Sequence, residues 1–370
     1  MVDFKKLNGS WKQVATLTLL AGLAGCGSAP QSTAPSPTAT SDSTSAAGEK
    51  PLVITTNTVL CDLTKQIAAQ TVNLKCLIAP GADPHVYEPT PDDKKAIETA
   101  NLIFYGGYDF EPTLIKLIQA TSNAAPKVAV HELAVPNPQT FEEDGKTETD
   151  PHVWHNAQNG IQIATVISEK LSQLEPANAQ LYAENAQKIT AEVGQIDTWI
   201  KSQIATIPQA SRKLVTTHDA LGYYSKAYGI PVEGALQGLS TEEAPTPVRV
   251  KELVGKIKDD NVPTIFAELS ANPKLIETVA KEANVKLSEQ ELYADGLGEP
   301  GSSGETYQKM LLANTEAIVK GLGGQFTPFQ PKTSSLWNGL NQQAFVNAEQ
   351  RFIALGAGET YSLNSIKSVS

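Results

Sequence analysis

The sequence predicts an α/β fold with two lobes, each built on a mainly parallel sheet, joined by a long rigid helix. Short apolar segments alternate with amphipathic helical segments, and this order pairs strands in parallel through right-handed crossovers. The alternation stops near residue 175 and starts again near residue 213. Between the two halves, residues 176–204 carry an apolar stripe at helical spacing, long enough to join two lobes. A chain of 370 residues can also bury two cores.

The first half contains four predicted strands and three predicted helices. The strands are placed at 52–55, 72–78, 102–105 and 127–130, and the helices at 59–70, from 91 onward and at 113–120. Thr90 is expected to cap the second helix, because Pro91 opens that helix and Asp93 stands at the third position of a capping box. The acidic segment 136–150 is expected to be a mobile surface loop.

The second half repeats the alternation after two long helices, 157–174 and 176–204, which separate at Glu175 because a residue before proline avoids the helical region. Strands are predicted at 213–216, at 264–267 and within 284–304, and helices at 220–228, 247–258, 273–283 and 306–322. The predicted units are a first lobe at 51–174, a linking helix at 175–205, a second lobe at 206–325 and a C-terminal extension without an assigned role at 326–370.

The charge balance limits the partners. The formal net charge is −11, and the chain lacks the lysine and arginine clusters that neutralise phosphates. We therefore expect no nucleic acid as a partner.

The N-terminus reads as an export signal. Lys5, Lys6 and Lys12 precede an apolar run at 14–23 that is too short to span a membrane. The run ends in Leu23-Ala24-Gly25-Cys26, which resembles the bacterial lipobox, so residues 1–25 are predicted to be a lipoprotein signal peptide and Cys26 the lipid-modified residue. Residues 26–50 are rich in Ser, Thr, Pro and Ala and suit a flexible tether. An ordinary secretory cleavage site is the alternative.

The other two cysteines are predicted to pair. Cys61 lies in the first predicted helix and Cys76 on the strand against which that helix should pack. In an oxidising compartment we expect a disulfide between them, worth about 3 kcal/mol on the chain-entropy model. Two buried free thiols are the alternative.

Two of the five histidines occur in the same short pattern. Asp83-Pro84-His85-Val86-Tyr87 returns as Asp150-Pro151-His152-Val153-Trp154. His218 follows the predicted strand 213–216, and ligands of parallel sheets bind at the carboxyl ends of the strands. His131 and His155 are interpreted as structural or surface residues.

Three imidazoles need one carboxylate to complete a four-coordinate metal shell. The candidate is Asp295, in the glycine-rich segment Tyr293-Ala294-Asp295-Gly296-Leu297-Gly298. An acidic turn residue before glycine is the alternative for this position.

These motifs resemble those of the metal-binding solute-binding proteins of bacterial zinc and manganese ABC importers (cluster A-I, zinc-uptake type). The first-ligand motif is Pro80 to Pro91, the second Asp150 to Trp154, the third Thr216 to Tyr224 and the fourth Tyr293 to Gly298. The resemblance spans about residues 51–325 and implies that His85, His152, His218 and Asp295 hold a metal ion in the cleft between two lobes.

The resemblance also implies how the protein would work. The ion would be captured outside the cytoplasmic membrane, in the periplasm, by a lipid-anchored monomer that is not an enzyme. It would then pass to a membrane permease driven by a cytoplasmic ATPase. Manganese and iron relatives commonly carry glutamate where this chain has His218, so zinc is the expected cargo. Manganese is the alternative.

Two other classes of function remain open at this point. A zinc hydrolase would need a general base, for which Glu268 is the candidate, but no His-Glu-x-x-His helix is present. Glu268 is rather expected to hydrogen-bond a ligand or to serve the fold. A surface adhesin is the other possibility, because a lipid anchor and a tether would serve that function as well.

Overall fold

The structure is a computed structural model that describes residues 49–143 and 146–332. The predicted signal peptide, Cys26, most of the tether, and the extension from residue 333 onward lie outside the described residues. Within the described part of the chain, no helix combines the length and hydropathy needed to cross a membrane.

The first half is a four-stranded parallel sheet in the order β2-β1-β3-β4. Its strands are β1 (Leu52–Thr55), β2 (Asn73–Cys76), β3 (Leu102–Tyr105) and β4 (Lys127–Ala129). Its helices are α1 (Thr58–Ala68), α2 (Pro91–Thr99), α3 (Pro112–Ala120) and the short α4 (Val130–Ala134). All four strands were predicted, whereas α4 was not. Thr90 forms the expected capping box with Asp93.

Successive residues of the strands point to opposite faces, so each face of the sheet packs on its own apolar cluster. Val53 and Phe104 belong to the cluster on one face, and Ile54 and Ile103 to the cluster on the other. The predicted disulfide is confirmed, since Cys61 of α1 is bonded to Cys76 of β2. It fastens α1 to a strand at the edge of the sheet.

The prediction of a loop over 136–150 is wrong. Strands β5 (Thr140–Glu143) and β6 (Lys146–Thr149) form an antiparallel hairpin in this segment. The base of the hairpin is anchored: the Asp150 backbone N–H donates to the Gln139 carbonyl at 3.0 Å, and the Gln139 N–H donates to the Tyr223 hydroxyl at 2.8 Å. These polar strands have no apolar alternation, which is why the sequence pattern did not indicate them.

Two long helices connect the halves. The first, α5 (Ala157–Leu174), has the predicted bounds; a 3-10 turn at Pro176–Asn178 then precedes α6 (Ala179–Ile204). The apolar stripe of α6, which includes Ile189, Val193 and Ile196, is buried in the same cluster as side chains of both halves.

The second half has two pairs of parallel strands. They are β7 (Leu214–Thr216) with β8 (Val232–Ala235), and β9 (Thr264–Ile265) with β10 (Lys286–Leu287). A backbone hydrogen bond of 2.9 Å from Phe266 to Val215 joins the pairs. The helices are α7 (Gly222–Tyr228), α8 (Pro247–Asp259), α9 (Pro273–Ala283) and α10 (Tyr307–Gly321). The fold is therefore the predicted α/β arrangement of two lobes. Within the second half, β8 is the strand that the sequence did not indicate.

After α10 the chain returns to the long helix. The Trp199 indole N–H donates to the Thr327 carbonyl at 3.0 Å, and Phe326 and Phe329 pack edge-on against the same indole. The described start of the predicted extension is thus part of the folded unit.

Candidate metal centre

Four side chains from four separate loops meet in the interior. His85 lies in the loop after β2, His152 before α5, His218 two residues after β7, and Asp295 in the loop after β10. Their exposed fractions are 5%, 0%, 0% and 2%. An ionisable cluster this deep must be paired or must hold an ion, and these four form the group of potential metal-binding side chains found in the described residues.

The donor atoms surround one point. The Nε2 atom of His152 lies 3.3 Å from that of His85 and 3.4 Å from that of His218. Asp295 Oδ1 lies 3.5, 3.2 and 3.0 Å from the Nε2 atoms of His85, His152 and His218. Zinc bonds nitrogen and oxygen at about 2.0–2.2 Å, so the edges of a tetrahedral shell measure about 3.3–3.6 Å. The five separations are close to that size, and the arrangement can hold a divalent cation.

The two Asp-Pro-His segments share a local turn. Asp83 Oδ1 accepts the His85 backbone N–H at 2.9 Å, and Asp150 Oδ1 accepts the His152 N–H, also at 2.9 Å. Each aspartate therefore fixes the backbone that presents the following histidine.

Asp150 also contacts the side chain of His152. Asp150 Oδ1 also lies 2.9 Å from His152 Nδ1. A carboxylate can only accept, so Nδ1 carries the proton and Nε2 keeps its lone pair for an ion. Asp83 instead uses its other oxygen to accept the hydroxyl of Thr241, from the second half of the chain.

Glu268 orients His218 in the way that Asp150 orients His152. Its Oε2 accepts the His218 Nδ1–H, while Oε1 accepts the backbone N–H groups of Thr217 and His218 at 3.0 and 3.1 Å. The expected hydrogen bond to a candidate ligand is thus present. Both oxygens are occupied, so Glu268 is not positioned as a free base.

Asp295 is held from two sides. Its Oδ2 accepts the hydroxyl of Ser270 at 2.7 Å, and the His155 Nε2–H donates to the carbonyl of Ala294 at 2.7 Å. The next residue is Gly296, where a Cβ would lie 2.4 Å from the Thr58 hydroxyl and would force that side chain to move. These contacts fix the direction in which the carboxylate points.

Aromatic rings close the inner side of the cluster. Phe110 meets His85 and His152 edge-on, with centroids 5.2 and 5.7 Å apart, and Trp154 packs behind Phe110 at 4.8 Å. Phe110 and Trp154 are both fully buried, and such apolar surroundings strengthen electrostatic interactions within the cluster.

The charges in the cluster favour a cation. Burial alone would lower the pKa of His152 and His218. The hydrogen bond to Asp150 and the negative charge of Asp295 raise the pKa of His152, and the charges of Asp295 and Glu268 raise that of His218 well above its usual value. Burial opposes ionisation of Asp295, yet the neighbouring imidazoles hold its pKa well below the usual range. The field that binds a proton here also binds a metal ion, and the two compete.

The remaining histidines of the described chain are buried but lie outside the cluster. His131, in α4, is separated from it by Phe110 and Trp154. Burial and the nearby His152 lower the pKa of both His131 and His155 to about 3. They are neutral side chains inside the fold, in agreement with the structural interpretation.

Sequence reasoning missed Asp150 and Ser270. Asp150 was read as one more acid of a surface segment, although the repeat of the Asp-Pro-His pattern was the signal that could have identified it. Ser270 has no local signal, because its partner is 25 residues away in the sequence and is reached only through the fold.

Two α/β lobes on a shared helix, with four buried side chains that could together hold a metal ion, are the architecture of a protein that binds a cation. The chain belongs to the family described as zinc-uptake complex component A, periplasmic (ZnuA), whose model matches residues 53–321.

Similar proteins carry the names of both metals. The chain is 34% identical to the manganese ABC transporter substrate-binding lipoprotein PsaA of Streptococcus mitis, over 75% of this chain and 91% of that protein. It is similar in structure to the periplasmic zinc binding protein TroA of Treponema pallidum, with a TM-score of 0.70, 33% identity and coverage of 74% and 99%. A manganese-bound periplasmic metal binding protein of Candidatus Liberibacter asiaticus matches with a TM-score of 0.66, 25% identity and coverage of 74% and 100%.

Proposed function

We propose that the protein captures a zinc ion outside the cytoplasmic membrane and delivers it to the permease of an ABC importer, which a cytoplasmic ATPase drives. His85, His152, His218 and Asp295 are the proposed ligands, and a lipid on Cys26 is the proposed anchor. Family membership supports the role in metal import, and the lipoprotein names of its relatives support the anchor.

The observation that carries the ligand assignment is the convergence of four donors. Three Nε2 atoms and Asp295 Oδ1 lie 3.0–3.5 Å apart in the five pairs described above. In the described part of the chain, Asp295 Oδ1 is a buried acceptor with no hydrogen-bond partner. An ion at the common point would satisfy all four donors at once.

The donor set favours zinc over manganese. Imidazole nitrogen suits zinc, whereas manganese prefers carboxylate, carbonyl and water oxygen, and stability with such a site rises from manganese toward zinc and copper. A specific observation supports manganese as the second candidate: several similar proteins are named manganese ABC transporter substrate-binding lipoproteins. We therefore place zinc first and manganese second.

The test is competitive binding to metal-stripped protein. A chromophoric chelator that binds both ions would report the affinity for zinc and for manganese, and native mass spectrometry would report the number of ions. We expect one ion per chain and a zinc affinity at least about 100-fold higher than that for manganese, a difference of about 2.7 kcal/mol.

The ligand assignment is tested by Asp295→Ala, which should abolish tight binding of either ion. Asp197→Ala is the matched control, since that aspartate is also buried but bonds Gln158, Lys201 and Tyr228 away from the cluster. Higher affinity for manganese than for zinc would reverse the order of the candidates. Unchanged binding by Asp295→Ala would overturn the proposed ligand set.

A further inference from the structure

The two oxygens of the Asp295 carboxylate have different surroundings. Oδ1 lies 3.0–3.5 Å from the three imidazole Nε2 atoms, and among the described residues it has no hydrogen-bond partner. Oδ2 accepts the Ser270 hydroxyl at 2.7 Å. One oxygen is thus directed at the proposed ion position, and the other is held by the protein.

Ser270 is itself fixed in place. It lies in the turn after β9, where the Ala271 N–H donates to the Glu268 carbonyl at 3.3 Å. Just before it, the Leu269 N–H donates to the Leu292 carbonyl at 3.0 Å, which ties the turn to the segment that leads to Asp295. The same turn therefore carries Glu268, which orients His218, and Ser270, which orients Asp295.

We propose that Ser270 is a positioning residue that determines metal specificity by restricting Asp295 to coordination through one oxygen. This inference rests on the proposed function. With Oδ2 held by the hydroxyl, the protein offers four donors, the number that satisfies zinc. An ion that favours more oxygen ligands, such as manganese, gains from a carboxylate that can bind through both oxygens, and the Ser270 hydrogen bond opposes that mode.

A purely structural role for the hydroxyl predicts a different result. If Ser270 only satisfied a buried acceptor, its loss would lower the affinity for every metal ion by the same factor. The coordination number of the bound ion would not change. The two roles therefore differ in the ratio of affinities and in the geometry around the ion, both of which can be measured.

The experiment compares wild type with Ser270→Ala, Ser270→Thr and Ser288→Ala. Threonine keeps the hydroxyl, and Ser288 is a matched control because its hydroxyl donates only to the nearby Gln290 carbonyl, at 2.8 Å. Cobalt(II) is the probe of geometry, since the intensity of its visible absorption separates four-coordinate from five-coordinate ions. Zinc and manganese affinities are measured in parallel, and circular dichroism checks folding.

We expect Ser270→Ala to lower the ratio of zinc to manganese affinity about tenfold, the scale of lost outer contacts, and to weaken the cobalt bands toward the five-coordinate pattern. Ser270→Thr should restore both readouts, and Ser288→Ala should change neither. If Ser270→Ala changed neither the ratio of zinc to manganese affinity nor the cobalt spectrum, the inference would be overturned. The proposed function would still stand as long as the wild-type protein binds zinc. Failure of wild type to bind zinc or manganese would instead overturn the proposed function itself.

Discussion

The histidines on the two sides of the Phe110–Trp154 aromatic pair are equally buried and chemically different. His152, on one side, has a carboxylate on Nδ1 and shares its Nε2 environment with two other imidazoles and Asp295. His131, on the other side, finds no hydrogen-bond partner for either ring nitrogen among the residues that the structure describes. Carboxylates raise the pKa of His152, although burial opposes them, and burial lowers that of His131 to about 3. Burial therefore does not distinguish these two histidines, whereas the carboxylate partner on Nδ1 does.

The largest expected effect is that of removing the central imidazole. His152→Ala should weaken zinc binding by at least about 1,000-fold, more than the 10–100-fold typical of losing an outer partner, because His152 contacts the other three candidate ligands. The affinity would be measured by chelator competition. His131→Ala is the control, and comparable losses in both variants would remove the distinction between the two sides.

The carboxylate partner should have the next largest effect. Asp150→Asn keeps the size of the side chain but replaces the carboxylate that orients His152, and we expect about 10–100-fold weaker zinc binding. Asp83→Asn is the matched control in the same Asp-Pro-His turn, where the aspartate contacts the histidine backbone but is directed to Thr241. Equal losses in both variants would show that the turn, not the contact with Nδ1, is what matters.

Substitution of His155 should weaken zinc binding by an amount between the losses expected for the candidate-ligand side and for His131. His155→Ala removes the hydrogen bond to the Ala294 carbonyl next to Asp295, and we expect zinc binding to weaken about tenfold, at the low end for an outer contact. Thermal unfolding of the metal-free variant would report the accompanying loss of stability. No change in affinity would mean that the backbone before Asp295 is positioned without His155.

The smallest effect on metal affinity is expected for substitution of His131. That substitution should instead change the stability of the folded protein in acid. Because its pKa in the folded protein is about 3, the unfolded chain takes up a proton below about pH 6.5 while the folded protein does not, and acid favours unfolding. His131→Phe should remove this contribution of about 1.4 kcal/mol per pH unit between pH 6 and pH 4. Urea denaturation with a metal chelator at pH 7 and pH 4.5 measures it, and equal acid sensitivity of wild type and variant would contradict the expectation.

The sequence was informative wherever a local pattern encoded the element. Buried strands β1 and β3 are continuous apolar runs, and α5 and α9 begin and end where the caps and prolines indicate. The hairpin β5–β6 was missed because its strands are polar. Strand β8 was missed because its four residues, Val232–Ala235, include a glycine and pair only with β7.

The residues of the candidate site also fall into those that a local motif predicts and those that it does not. His85, His152, His218 and Asp295 stand in recognisable motifs, and the structure brings all four together; that they bind metal stays a prediction. Ser270 could not be found, since a serine in a turn acquires its role only from the carboxylate that the fold places beside it. Motifs identify donors, whereas the groups that aim them depend on tertiary contacts.

The apolar stripe of α6 has a mechanical consequence. It shares one continuous core with Trp154 from before α5 and with Tyr307 and Leu311 of α10. Spreading the halves apart would expose this core to water at a cost of roughly 25 cal/mol per Å², and large apolar interfaces of this kind suppress domain motion. We therefore expect α6 to hold the two halves rigidly together, and any opening of the cluster to come from small displacements such as loss of the Asp83–Thr241 contact between the halves.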